Sequence, residues 1–176
     1  MFARLRTLAS STATAFSEAL QPAQRAPKPS DLLGTANAML DAVQESGGTA
    51  NLIRLQRLLA LAQFWNIALQ GRPMFRAPMT VINGRPVLMD LHSAFRRFGW
   101  HPIQARAEVP EMPGFDQPSD QDEDRLTVIR SVVSAYARFD DYRLGEILAG
   151  LLEDAVVDET VDQHKVARRL QDRITD

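Results

Sequence analysis

The residues best suited to recognition lie close together at "FRRFGWH", where Arg96 and Arg97 are interleaved with Phe98, Trp100 and His101. Guanidinium groups beside aromatic rings suit an acidic protein surface or a nucleic acid, through charge and through cation–π contact. The competing reading places Phe98 and Trp100 in the core and leaves the arginines solvated. Catalytic constellations are absent from the pattern. His92, His101 and His164 are far apart and fit neither H-x-x-x-H nor H-E-x-x-H spacing, which argues against a metal site. No G-x-S-x-G, P-loop or G-x-G-x-x-G motif occurs, so neither a hydrolase elbow nor a phosphate cradle is signalled. The neighbouring acids Asp140-Asp141 and Glu153-Asp154 would diverge by about 100° on a helix, so they read as caps and solvated faces. Together these features predict a chain that is not an enzyme and carries no cofactor and no metal.

Composition narrows the choice further. A chain of 176 residues suits one domain plus an extension. A formal net charge of -2, with 24% charged and 45% hydrophobic residues, describes an ordinary globular protein and argues against general nucleic-acid binding. The lack of cysteine excludes disulfides, thiolate metal sites and thiol catalysis. The most apolar region, residues 52–69, is interrupted by Arg54, Gln56, Arg57, Gln63 and Asn66, so it does not provide the roughly 20 apolar residues of a membrane helix. A cytoplasmic protein without a membrane span is the expectation.

The elements that must position these residues are mostly helical. Phe2, Leu5, Leu8, Thr12, Phe16 and Leu20 fall near one helical face, which predicts an amphipathic N-terminal arm rather than a targeting peptide. The proline-rich "QPAQRAPKPS" then serves as a linker. A first core helix is expected over residues 31–45, burying Leu33, Ala36, Leu40 and Val43 and ending at Gly47-Gly48. Asn51 caps the clearest helix, whose broad apolar face runs to Gly71. Residues 108–124 hold seven acids and no basic residue, with several prolines and Gly114, which predicts an exposed loop. Further helices are expected from about Asp122, burying Leu126, Ile129, Val132, Val133 and Tyr136, and from about Asp141 through Leu152.

The stretch "MTVINGRPVLM" poses a choice. Asn83-Gly84 between apolar runs signals a hairpin, yet Pro86 stands where a return strand should donate a hydrogen bond. From Val87, the positions Val87, Leu88, Leu91, Ala94, Phe95 and Phe98 recur every three to four residues. The sequence therefore favours a turn from a short strand into a helix, with Pro86 at or before its first turn. The expected fold is mainly α, a compact bundle of about five to six helices with a short β-strand or small β element near residues 79–82.

At "LIRLQRLLALAQFWNIALQGRPMF" the sequence resembles the Panacea antitoxin domain, the SocA-like family. Leu55, Gln56, Leu58, Leu59, Ala62, Gln63, Trp65, Ala68, Leu69, Gly71, Pro73 and Phe75 match its pattern, and Arg57 stands in a lysine position. The resemblance continues through Pro86, Val87, Leu91, Phe95, Phe98 and Gly99 to "YARFDDYRLGEIL", and covers residues 31–152. Departures are concentrated at polar and aromatic positions: Arg85 replaces the glycine of a Gly-Pro-Val corner, His92 and Ala60 replace tyrosines, Phe64 a glycine, and Ile82 a frequent tryptophan.

The resemblance implies a helical protein-interaction module, an antitoxin that neutralises a toxin by direct binding. Together with the local patterns, it gives an expected division into an arm and linker at residues 1–29, a Panacea-like domain at 30–156 and, from acids placed before basic residues, a C-terminal amphipathic helix at 157–176. The partner-binding residues nominated are Arg85, His92, Arg96, Arg97 and Trp100, since exposed arginines and aromatics dominate protein interfaces. The partner expected is a protein, either a toxin or a neighbouring subunit, and self-association is compatible with the pattern. The rival readings are a phage-derived structural or assembly protein, virion-associated and using its arm to contact neighbours, and a proteolytic adaptor.

Overall fold

The structure, a computed structural model, describes residues 31–109 and 123–175. The expected N-terminal arm and most of the acidic segment lie outside them. Helix α1 (Asp31–Glu45) ends where Gly47 adopts a positive φ of 78°. Its buried stripe is Leu32, Ala36, Met39 and Val43, whereas Leu33 and Leu40 are only half-buried. Both sets fit a helical period, and the core selects the one lying about 100° round the helix from that expected at Leu33 and Leu40.

Helix α2 (Leu52–Gln70) has the predicted limits: Asn51 accepts a hydrogen bond from the Arg54 amide at its start, and Gly71 closes it at φ 69°. It is buried on every side, polar residues included. An enclosed helix of this kind has to find partners for each polar side chain. Gln63 does so completely. Its Oε1 accepts from the amides of Met74 (2.8 Å) and Phe75 (3.2 Å), and its Nε2 donates to the Phe75 carbonyl (2.9 Å) and to Gln163 Oε1 (2.7 Å). Gln56 accepts from the Leu88 amide, Asn66 donates to the Arg72 carbonyl, and the Trp65 indole donates to the Tyr136 hydroxyl.

After the loop that buries Met74, Phe75 and Met79, strands β1 (Thr80–Ile82) and β2 (Arg85–Val87) pair antiparallel. Asn83 and Gly84 take φ values of 52° and 72°, the two positive angles of a type I′ turn. The expectation of a strand-to-helix turn is therefore corrected: Asn83-Gly84 is a hairpin tip and Pro86 belongs to the return strand, opposite Val81. Helix α3 (Met89–Phe95) starts only after Leu88, and a 3₁₀ turn over Arg96–Phe98 replaces the expected continuation of the helix.

Helix α4 (Glu123–Tyr136) buries Val128, Ile129, Val132, Val133 and Tyr136, with Leu126 half-buried rather than buried as expected. Helix α5 (Asp141–Leu152) starts at Asp140, whose side chain accepts from the Arg143 amide. A second hairpin follows, β3 (Val156–Val157) and β4 (Thr160–Val161), before helix α6 (Gln163–Thr175). The small β element expected near residues 79–82 is present, and among the described residues it belongs to a four-stranded sheet in the order β2-β1-β4-β3. Residues 157–161, expected to be helical, are hairpin, and the helical pattern begins at Gln163. Pro86 is tolerated because β2 is an edge strand. Moreover, the residue pair one step in from a two-residue turn makes no direct ladder bonds, so its missing N–H points away from β1.

The molecule is thus mainly α with a small antiparallel sheet, arranged around α2. Helix α6 packs along α2 more extensively than any other described element, through Val166, Ala167 and Leu170, and Gln171 donates to the Ala68 carbonyl. The sheet joins chain segments remote in sequence: Val81 donates to the Glu159 carbonyl at 2.7 Å, and Val161 to Met79 at 2.9 Å.

Two substitutions test these contacts. Gln63→Leu leaves two buried amides and a carbonyl unpaired and should cost about 3 kcal/mol or more in urea unfolding, with faster amide exchange at Met74 and Phe75. Glu159 holds a left-handed conformation at φ 62° without being glycine or asparagine. Glu159→Gly should therefore stabilise the fold by about 0.5 to 1 kcal/mol at an unchanged m-value.

Candidate functional site

Two arginines three residues apart on α2 organise the surface that concerns recognition. Arg54 donates from Nη1 to the Phe139 carbonyl (2.9 Å) and to Asp141 Oδ1 (3.2 Å), and from Nη2 to the Ala137 carbonyl. One guanidinium thereby ties the whole loop between α4 and α5 to the central helix. Arg57 is buried, donates to the Asp141 carbonyl and lies against Gly145 in the first turns of α5. Burial holds the Arg57 guanidinium below its ordinary range; the Asp141 carboxylate opposes this, and the charges of Arg85 and Arg54 add to it.

Beside it lies an open cleft of about 360 Å³. Val43 and Ala137 give it an apolar lining, Arg54 and Asp141 a polar one, and Trp100 and Pro102 form part of its wall. That volume is enough for one or two side chains of a ligand. The segment carrying Trp100 is fastened to the rest of the fold. Ile103 donates to the Ala50 carbonyl, and Asn37 exchanges two hydrogen bonds with the backbone of Ala107, at 3.0 and 2.8 Å. Arg106 clamps Asp41 through both carboxylate oxygens at 2.7 Å.

All five nominated residues are exposed. Arg96, Arg97 and Trp100 share one tight knob: the Gly99 amide donates to Arg96, the His101 amide to Phe98, and Gly99 turns at φ 55°. Phe98 is half-buried against Phe95, ring centroids 6.4 Å apart, and the Arg97 guanidinium lies 5.0 Å from the Phe98 ring centre. Trp100 does not follow Phe98 into the core; it is 77% exposed. His92 sits four residues before Arg96, whose amide donates to its carbonyl, so the two lie on one helical face. Arg85 is not part of the knob. It stands on β2 at the first hairpin, outside the lining of the cleft.

Sequence reasoning missed Arg54, Arg57 and Asp141. A signal was present: two arginines inside an otherwise apolar helix must find acceptors if that helix is enclosed. It also missed Tyr142, which follows the lining residue Asp141 and is 76% exposed. Among the described residues, no three His, Asp or Glu side chains come together as metal ligands would. Nor is any described helix long and apolar enough to cross a membrane. Comparison of the chain with protein-family models, curated proteins and solved structures finds no match.

The anchoring role of Arg54 gives a direct test. Arg54→Ala should lower stability by about 2 to 3 kcal/mol and speed amide exchange across residues 137–141. Arg54→Lys should recover less than half of that loss, since one ammonium cannot span three acceptors in the geometry of the planar fork.

Proposed function

We propose that this chain is a protein-interaction module, acting by binding rather than by turnover, and that it is an antitoxin-like protein that neutralises a partner toxin by direct contact. The observation that carries the binding reading is Trp100, a large aromatic left 77% exposed on a fastened segment beside a cleft. Exposed tryptophan flanked by arginine is the composition in which interface energy is concentrated. The antitoxin reading rests on the resemblance to the Panacea domain. Of the matched residues, Leu55, Gln56, Leu58, Leu59, Ala62, Gln63, Trp65, Ala68 and Phe75 are buried; of the departures, Ala60 and Phe64 lie in the same core, while Ile82, Arg85 and His92 are exposed. The three exposed departures are where a partner particular to this chain would bind.

Co-expression with the product of the neighbouring reading frame tests the proposal. The wild-type chain should restore growth and co-purify with that product. Arg85→Glu and Trp100→Ala should each weaken the complex by about tenfold or more while leaving the thermal midpoint unchanged. Undiminished binding by both folded variants would remove this face from the function.

A further inference from the structure

The charges around Trp100 define the chemistry of the partner. Between Arg72 and Ala107 the chain carries six arginines, two histidines and one acid, Asp90, although the whole chain has more acids than bases. Arg72 and Arg106, at the ends of this stretch, are matched by Asp124 at 3.8 Å and Asp41 at 2.7 Å. Arg85, Arg96 and Arg97 are exposed and have no ion-pair partner among the described residues. Solvated arginines alone would be unremarkable, but two of these share the knob of the one exposed tryptophan, and that tryptophan lines a cleft of mixed polar and apolar walls.

The geometry points to an acidic segment of a protein partner as the occupant of this face: its carboxylates meet Arg96 and Arg97, and an aliphatic or aromatic side chain enters the cleft beside Trp100 and Pro102. This rests on the interaction-module reading above and names the partner's chemistry. Charge complementarity selects the acidic side chains. The cleft adds a seat for one further side chain: its apolar part is formed by Val43, Trp100, Pro102 and Ala137, and its polar part by Thr49, Asn51 and the Arg54–Asp141 pair, so the apolar side chain lies on the Trp100–Pro102 side. A nucleic acid fits less well. The unpaired arginines form a local patch on a chain of net charge -2, enough for the few carboxylates of a short segment but not for a continuous phosphate backbone.

The test is selection of random dodecapeptides displayed on phage against the full chain, followed by solution titration of the recovered peptides. Trp100 reports the titration directly, because Trp65 is only 1% exposed. The recovered peptides should be rich in Asp and Glu around an aliphatic or aromatic residue. Their binding should shift Trp100 emission to the blue. Arg96→Glu combined with Arg97→Glu, and separately Trp100→Ala, should weaken it by about tenfold or more, with the Trp100 variant read by anisotropy of labelled peptide. Absence of acidic enrichment, or binding indifferent to these exposed substitutions, overturns the inference. So does a single-stranded oligonucleotide that binds as tightly and displaces the peptide. If acidic peptides fail while Trp100→Ala still disrupts the complex with the full partner, the acidic chemistry falls and the interaction-module reading stands.

Discussion

The fold depends on one constraint: a helix enclosed on all sides carries amides and guanidinium groups that cannot be left unpaired. Helix α2 meets it by bonding to the backbone of the segments around it. Gln63 holds the turn at Met74 and Phe75, Asn66 the residue after the helix, Gln56 the entry to α3, and Arg54 with Arg57 the link between α4 and α5. Loops usually hold their shape through their own turns. Here several are held from inside, and a polar side chain on α2 fixes each one's distance from the core. The specificity gained is that of a fully satisfied buried network, whose disruption leaves orphaned groups rather than a simple loss of contact.

The candidate site inherits its rigidity from that arrangement. One side of the cleft is the loop that Arg54 pins, and the other is a segment bonded to α1 through Asn37 and to Ala50 through Ile103. Neither wall rests on a long unsupported chain. A segment fastened this way loses little backbone freedom on binding, so the loop-ordering part of the cost of association is small. Phe98 completes the device. By packing on Phe95 it anchors the knob from which Trp100 projects, so two aromatics two residues apart serve opposite purposes.

Much of the helical architecture was legible because its signals are local. Asn51 and Gly71 bound α2 by capping chemistry, and the stripes of α4 and α5 follow the helical period closely. The errors arose where local patterns were degenerate. An apolar period of three to four residues after Asn83-Gly84 suits a helix, yet two positive φ angles closed a hairpin and the edge position accommodated Pro86. The second hairpin was hidden because Glu159 is not a residue that usually takes the left-handed angle, and because strands of two residues have no period to read. Exposure of the nominated arginines followed from their type. The cleft did not, since Val43, Arg54, Trp100 and Asp141 meet only through tertiary packing.

The bond between Gln63 and Gln163 has a consequence for the order of folding. Its partners are 100 residues apart in the chain. The central helix is complete in sequence by Gln70, but Arg54 and Arg57 wait for the start of α5, and one bond of Gln63 waits for α6. Until those segments emerge, a nascent chain would hold α2 with unpaired guanidinium groups and uncovered apolar faces, a state prone to wrong associations. Contacts of such long range slow folding by the entropy of the loops they close. Adding α6 completes the network along α2, so the fold gains its lasting shape only once the chain has been made beyond Gln171.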